Sequence, residues 1–149
     1  MVQPRDRYFD DWTEGEVYMS EPHLMTGERI RSFAEEFDPQ PFHVDSDAAE
    51  ASIYGGIIAS GWHTGSVLMR LLSGYLGPSS MGSPGLDNLR WIAPVRPGDQ
   101  LRLRLTVLET RASNSKPDRG IIRFFQELLN QSDDVVMSVE ASIFMKRQT

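Results

Sequence analysis

The second half of the chain alternates apolar and polar residues with the period of two that is typical of β-strands. The clearest stretch places Leu101, Leu103, Leu105 and Val107 on one face, with polar residues between them. On this basis we predict four strands, over residues 85–93, 100–110, 120–130 and 135–146. The turn-rich segments 94–99 and 113–119 are short, so the strands are expected to pair mainly antiparallel.

The first half shows the spacing of helices after one short strand, predicted over 15–20. An amphipathic helix is predicted over 29–37, with Thr26 as its N-cap, and Pro39 ends it. A short polar helix is expected over 46–52. A long helix over 62–76 carries an apolar stripe and is predicted to be buried at the centre of the fold; the stripe is formed by Val67, Leu68, Leu71, Leu72 and Tyr75.

Length and composition favour a single domain over residues 1–149. The 149 residues are 40% hydrophobic, which is enough for one core and too few to predict two. A buried helix followed by an antiparallel sheet that can wrap it predicts an α+β fold. The chain has no cysteine, which excludes disulfides, thiolate metal sites and a cysteine nucleophile.

Charge and hydropathy exclude several classes of partner. The net charge of −6 argues against nucleic acid, because phosphate contacts need clustered Lys and Arg. The most apolar helical stretch, 67–76, contains Arg70 and is far shorter than the roughly 20 residues that cross a bilayer. The polar N-terminus lacks the apolar core of a signal peptide. A cytoplasmic protein without membrane contact is therefore expected.

The charge is unevenly distributed along the chain. Residues 1–75 hold 5 basic and 13 acidic residues, a balance of −8, whereas residues 76–149 hold 10 and 8, a balance of +2. An anionic ligand is therefore expected to contact the second half. The alternative for each basic residue is a solvated strand face. The candidates are Arg90, Arg96, Arg102, Arg104, Arg111, Lys116, Arg119 and Arg123.

The candidate chemistry lies in the segment Asp38-Pro39-Gln40-Pro41-Phe42-His43. Two prolines deny this segment a regular helix, so a rigid turn is predicted that holds the carboxylate and the imidazole face to face. Such a pair supplies an acid and a base, and the imidazole titrates near neutral pH. The alternative is a helix-ending turn in which Asp38 caps backbone N–H groups and His43 is a packed side chain.

Other polar residues are interpreted structurally. Asp45 and Asp47 stand just before the short polar helix, where carboxylates act as N-caps far more often than as metal ligands. His23 and His63 are expected to be packed or surface residues. No metal site is therefore predicted.

The Asp-x-x-Pro-x-His pattern, the Gly-rich segment 53–61 before the long helix and the strand-rich second half together resemble the MaoC-like dehydratases and (R)-specific enoyl-CoA hydratases. The resemblance spans nearly the whole chain. It implies a single hotdog domain, with an antiparallel sheet wrapped around a long central helix and an N-terminal helical overhang. It also implies a homodimer or a higher oligomer of dimers.

The resemblance implies a hydro-lyase that acts without metal or redox cofactor. The substrate would be a trans-2-enoyl thioester or the (R)-3-hydroxyacyl thioester, carried by coenzyme A or an acyl carrier protein. Asp38 and His43 would transfer the protons, in an order that the sequence leaves open, and partial burial is expected to keep a protonated form of Asp38 within reach. The Gly61 N–H, with that of Trp62, would stabilise the enolate-like oxygen.

Substrate contacts and departures from the family pattern complete the predicted site. Ser60, Trp62 and Phe42 are predicted to bind substrate beside Gly61. Gln40 stands where many family members have Asn, and Met69 takes a helix position that often supplies a serine to orient the aspartate. Ser66 or Thr64 is expected to replace that serine. The alternatives are a hotdog acyl-CoA thioesterase and a non-catalytic acyl-binding hotdog domain.

Overall fold

The computed structural model describes residues 7–148. The prediction of one domain over 1–149 therefore includes residues outside this range. The helices and strands, in chain order, are β1 (Val17–Met19), β2 (His23–Leu24), α1 (Gly27–Phe37), α2 (Pro41–Val44), α3 (Ser46–Ala51), α4 (Gly61–Leu76), β3 (Asp87–Trp91), β4 (Gln100–Ala112), β5 (Arg119–Leu129) and β6 (Val135–Lys146). In residues 7–148 no helix has the length and apolar character needed to cross a membrane.

The strands form one antiparallel sheet in the order β1-β4-β5-β6-β3, and the two-residue β2 pairs with β4. The three long central strands bury one face, because alternate residues of a strand point to the same side. On β4 the buried set is the predicted one. On β5 it is Gly120, Ile122, Phe124, Gln126 and Leu128. A single amide therefore lies within an otherwise apolar surface.

Helix α4 packs against this buried face, and its apolar residues join those of the strands in one core cluster. Ser60 caps the start of the helix, where its hydroxyl oxygen accepts from the Trp62 N–H. Gly77 ends it at φ +58°, a conformation that glycine adopts without strain. The predicted antiparallel sheet around a long buried helix is confirmed, with α4 beginning one residue earlier than expected.

The segment before α4 contains one more helical element than predicted. Thr26 caps α1 as expected. The rigid turn predicted over 38–43 is instead a bend followed by α2, because Pro41 occupies the first helical position, where its missing N–H costs nothing. Asp45 accepts from the N–H groups of Asp47 and Ala48 and caps α3, as interpreted from the sequence. Within residues 7–148 no three acidic or histidine side chains are arranged to hold a metal ion.

The remaining differences concern the edges of the sheet. β2 was not predicted, since two residues are too few to show a period. β1 and β3 are shorter than predicted, and β3 is interrupted by an irregularity in its pairing with β6 between Asp87 and Arg90. Asn88 has φ +55° within this stretch. A residue in that conformation breaks the strict alternation on which the prediction depended.

Candidate active site

Asp38 and His43 meet in the structure. The Oδ2 atom of Asp38 lies 3.2 Å from the Nε2 atom of His43. The His43 side chain is 4% exposed and that of Asp38 is 17% exposed, so the pair is sheltered from water but still reachable from the cleft at Asp38. The geometry matches the predicted pairing of an acid and a base.

Short helices hold the pair in place. Asp38 follows the last residue of α1, and its N–H donates to the Ala34 carbonyl. His43 lies in α2, which is tied to the segment before α4 by two bonds: the Ile58 N–H donates to the Phe42 carbonyl, and the Ile58 carbonyl lies 2.7 Å from Nδ1 of His43. The imidazole of His43 is therefore held at both nitrogens, by the Ile58 carbonyl at Nδ1 and by Asp38 at Nε2.

These contacts determine where the protons of the imidazole lie. A carbonyl oxygen can only accept, so Nδ1 of His43 carries the proton donated to Ile58. In the neutral imidazole Nε2 is then bare and faces the Asp38 carboxylate. Two acceptors face each other in that state, and one added proton would join them by a hydrogen bond. The two atoms are therefore close enough to pass a proton directly from one to the other.

Asp38 is held in its charged form by its neighbours. Burial raises the pKa of Asp38, but hydrogen bonds from Ser60 and Gln40, together with His43, outweigh burial and lower that pKa below its usual value of 3.8. The amide of Gln40 donates to Oδ1 at 2.7 Å. The expectation that burial keeps a protonated Asp38 accessible is therefore wrong for the free protein, because hydrogen bonds to the carboxylate dominate.

Ser60 takes the orienting position that the sequence assigned to Ser66 or Thr64. The hydroxyls of both of those residues donate to carbonyls of the preceding turn, those of Trp62 and Ser60. The Ser60 side chain is fully buried and is not among the residues that line the cleft, and hydrogen bonding by its hydroxyl lowers the pKa of Asp38. The signal for this was its place immediately before the helix start.

Gly61 lies directly beneath an indole ring. A Cβ atom at this position would stand 2.5 Å from the ring of Trp91, whose Nε1–H donates to the Gly61 carbonyl at 2.9 Å. As the first residue of α4, Gly61 has no intrahelical acceptor for its own N–H. The Trp62 N–H is bonded to the Ser60 hydroxyl, contrary to the expectation that it would be a second free donor. Trp91 was not among the predicted site residues.

A cleft of about 460 Å³ brings the predicted residues together. Phe42, whose ring packs edge-on against His43 with centroids 4.5 Å apart, lines it. So do Asp38, His43, Gly61 and Trp62. Trp62 also lines a second, mainly apolar cavity of about 360 Å³ between α4 and the sheet. Trp62 thus stands at both the cleft of the Asp38–His43 pair and the apolar cavity along α4.

Most of the candidate basic residues are paired with acidic ones instead of facing the cleft. Arg96 differs: its guanidinium donates to the Tyr54 carbonyl at 2.7 Å, and it directly follows the cleft-lining Val95. The ion pairs are Arg102–Asp133, Arg104–Glu127, Arg111–Glu109, Arg119–Asp118 and Arg123–Asp87. The solvated or paired strand face is therefore the outcome for these five.

The fold is that of the MaoC-like hotdog proteins. The family model of the MaoC like domain matches residues 10–121, three quarters of the chain, and the chain belongs to this family. The resemblance inferred from the sequence is confirmed. The family match includes the pair and the whole of α4, which lie within residues 10–121.

Individual relatives agree with this assignment. The chain is 31% identical to the uncharacterized protein YdeM of Bacillus subtilis, over 93% of this chain and 98% of that one. The MaoC-like dehydratase from Rhodospirillum rubrum superposes with a TM-score of 0.89 at 40% identity, covering 97% of this chain and 99% of that chain.

Two more distant structures share the fold. The R-hydratase PhaJ1 from Pseudomonas aeruginosa gives a TM-score of 0.79 at 24% identity and covers 95% of this chain and 86% of its own. A Mycobacterium tuberculosis protein with a double hotdog fold gives a TM-score of 0.83 at 19% identity. The match covers 95% of this chain and 44% of that protein. The predicted hotdog architecture is confirmed.

Proposed function

We propose that this protein is a hydro-lyase that adds water to a trans-2-enoyl thioester, or dehydrates the corresponding (R)-3-hydroxyacyl thioester. The observation that carries the proposal is the contact of Asp38 with His43 in a cleft that also contains Gly61. Membership of the MaoC-like family supports it. On this proposal the protein acts in fatty-acid metabolism of the cytoplasm, on substrates carried by coenzyme A or an acyl carrier protein.

The Asp38–His43 pair would carry out both proton transfers of the reaction. The attacking water would lie against the carboxylate of Asp38 and the bare Nε2 of His43, which are 3.2 Å apart. As the oxygen bonds to the β-carbon, Nε2 takes a proton from the water. Asp38, 3.2 Å away, relays a proton to the α-carbon, which has gained the electron pair of the double bond. One proton enters and one leaves, so the pair returns to its starting state.

Charge that develops on the thioester oxygen is proposed to be stabilised at the start of α4. The Gly61 N–H lacks an intrahelical acceptor, and the helix dipole favours negative charge there. One such donor contributes about 3 kcal/mol in comparable oxyanion sites. Glycine at this position lets the backbone lie beneath Trp91, whose ring would otherwise collide with a side chain.

The two cavities separate the parts of the substrate. The reacting carbons would lie in the cleft at Asp38 and His43, and the acyl chain would pass Trp62 into the apolar cavity along α4. The phosphate-bearing carrier would remain outside, on the side where Arg96 is exposed. This arrangement keeps the anionic carrier near a cation and the apolar chain away from water.

A second copy of the chain is proposed to cover an apolar patch beside these cavities. The patch, called the α4–β3 patch below, is exposed in residues 7–148 and consists of Trp62, Met69, Leu86, Trp91 and Ile92. Exposed apolar patches of this kind mark interaction surfaces. In the double-hotdog relative two such folds occur in one chain, which supports a second copy as the occupant here.

The reaction is tested with crotonyl-CoA and the purified chain. Hydration removes the absorbance of the conjugated thioester without releasing free thiol, whereas a thioesterase releases thiol in proportion to substrate consumed. We expect loss of the conjugated absorbance alone, and (R)-3-hydroxybutyryl-CoA as product. Stoichiometric thiol release would support the thioesterase alternative. No turnover on any enoyl thioester of a chain-length series would favour a non-catalytic acyl-binding domain.

A further inference from the structure

The apolar cavity along α4 contains one amide that the proposed reaction does not use. Gln126 lies at the middle of β5, on the face turned to α4, and is 2% exposed. It lines the cavity, and its Nε2 atom has no hydrogen-bond partner. A buried polar group without a partner costs free energy, so its presence on this face calls for a specific partner.

The neighbours of Gln126 within the sheet cannot make a hydrogen bond to its amide. Its cross-strand partners are Leu105 on β4 and Val139 on β6, both buried and apolar. Along its own strand the adjacent residues on the same face are Phe124 and Leu128. None of these side chains can accept or donate a hydrogen bond to an amide. A group within the cavity that Gln126 lines could supply the partner that the sheet does not.

The amide lies along the proposed path of the acyl chain. Met137 faces the first turns of α4, where a Cβ on Gly65 would stand 3.6 Å from its terminal carbon, and Leu128 is its partner on β5. Gln126 is two residues from Leu128, about 7 Å along the strand. Trp62 lines both this cavity and the cleft at Asp38 and His43. A chain that enters past Trp62 would therefore meet Gln126 some carbons beyond the reacting double bond.

We propose that the preferred substrate carries an oxygen function within its acyl chain, and that Gln126 hydrogen-bonds to it. A hydroxyl fits best, because it both accepts from the amide nitrogen and donates to the amide oxygen, whichever faces the cavity. A carboxylate fits poorly, since the cavity has no cation to pair with it and desolvation of a charge is costly. The inference rests on the proposed hydration of enoyl thioesters.

The test uses one series of trans-2-enoyl-CoA substrates of equal chain length. One member is unsubstituted, and each of the others carries a single hydroxyl on a different carbon beyond the double bond. For the wild type we expect kcat/KM about tenfold higher for one position, or two adjacent ones, than for the unsubstituted chain. Gln126→Leu should abolish this preference and raise kcat/KM for the unsubstituted chain.

Leu72→Met is the matched control, because Leu72 lines the same cavity from α4 and the change adds no polar group. It should alter kcat/KM for all members in the same proportion. Gln126→Met, with folding checked by thermal unfolding, replaces Gln126→Leu if the latter is not obtained folded. The ratio of kcat/KM between two substrates does not depend on the fraction of protein that is active. Partial misfolding of a variant therefore cannot produce the expected loss of preference.

The outcomes separate this inference from the function on which it rests. Hydration of the unsubstituted chain, with no hydroxyl position preferred, would overturn the role of Gln126 and leave the reaction standing. A preference that persists in both Gln126 variants would do the same. No hydration of any member by the wild type would overturn the proposed reaction and this inference together.

Discussion

Three neighbouring side chains, and not exposure to solvent, keep Asp38 charged. Ser60, Gln40 and His43 each favour the carboxylate over the carboxylic acid, and together they outweigh the burial that opposes it. A carboxylate in this state orients water by accepting from it, and once protonated it releases the proton more readily than an ordinary carboxylic acid because its pKa is lowered. Its basicity is therefore set by hydrogen bonds that a single substitution can remove.

Ser60→Ala removes the buried hydroxyl that supports the Asp38 carboxylate. The pKa of Asp38 should rise, because a bond to the charged form is lost while burial remains. We expect kcat for crotonyl-CoA to fall about tenfold and the acid limb of the pH–rate profile to move to higher pH. Ser73→Ala, whose hydroxyl bonds only to the Met69 carbonyl on the exposed side of α4, is the control and should leave the profile unchanged. An unmoved acid limb in Ser60→Ala would contradict this role.

At the scale of single residues, the sequence predicted the Asp38–His43 pair but not the contacts that other residues make around it. Asp38 and His43 could be found because their spacing and the two prolines form a pattern. The contacts of Ser60 and Trp91 depend on the close approach of segments 20 to 30 residues away, which leaves no periodic signal. Gln126 had a signal that was overlooked: it interrupts the apolar alternation of β5.

At the scale of elements, the start of α4 is positioned by two contacts with other parts of the chain. On one side the indole of Trp91, on β3, covers Gly61 and bonds to its carbonyl. On the other side His63 stacks on Phe33 of α1, with ring centroids 4.8 Å apart. The helix end that would hold the thioester oxygen is thus fixed between α1 and β3.

Gly61→Ala tests the first of these contacts. The new methyl group would overlap the Trp91 ring, so the ring and the helix start must separate. We expect kcat/KM to fall 10- to 100-fold and the tryptophan fluorescence to change. Gly65→Ala is the structural control, since its Cβ would make an ordinary 3.6 Å contact with Met137. The control should keep the wild-type fluorescence and gain about 1 kcal/mol in the free energy of unfolding.

His63 makes the second contact sensitive to pH. Burial lowers the pKa of His63, with a further lowering by His23 and Arg29, from the usual value of 6.5. The unfolded chain therefore binds a proton at His63 more readily than the folded one. Stability should be fully present above pH 6.5 and decline as the pH falls towards the lowered pKa of the folded state.

His63→Phe should retain the stack on Phe33 and remove this proton uptake. Denaturant unfolding at pH 7.5 and 5.5 measures the effect. The wild type is expected to lose more free energy of unfolding between these values than the variant does. Equal losses in the two proteins would show that His63 does not control the acid side of stability.

The sequence predicted the elements where a period was sustained and failed where tertiary contacts set the structure. The three long strands and α4 follow their patterns closely. α2 was missed because Pro41 was interpreted as a helix breaker, although at a first helical position it is compatible with a helix. β2 and the ends of β3 depend on pairing with β4 and β6, which no local pattern records.

At the scale of the whole molecule, the α4–β3 patch lies beside both cavities. Trp62 and Trp91 belong to it and also line the cleft at Asp38 and His43, and their rings meet edge to face with centroids 5.2 Å apart. A second copy on this patch would exclude water from the site as well as bury apolar surface. Assembly and activity are therefore expected to be linked.

Met69→Glu places a charge in this patch and tests the linkage. Sedimentation velocity should show a dimer for the wild type and a shift towards monomer for the variant, because burying the charge opposes association. At low protein concentration the activity of the variant should fall in proportion to its loss of dimer. Ile53→Glu is the control, since Ile53 is 93% exposed and lies outside the patch. A wild-type monomer with full turnover would contradict the proposed second copy.

The most direct measurement is the turnover of crotonyl-CoA by the wild type, Asp38→Asn, His43→Gln and the double variant. Because the two groups pass one proton between them, each single variant should lose about as much of kcat as the double variant, 100-fold or more. Circular dichroism should confirm that all four are folded. Near wild-type turnover in either single variant would contradict the account of Asp38 and His43 as one catalytic unit.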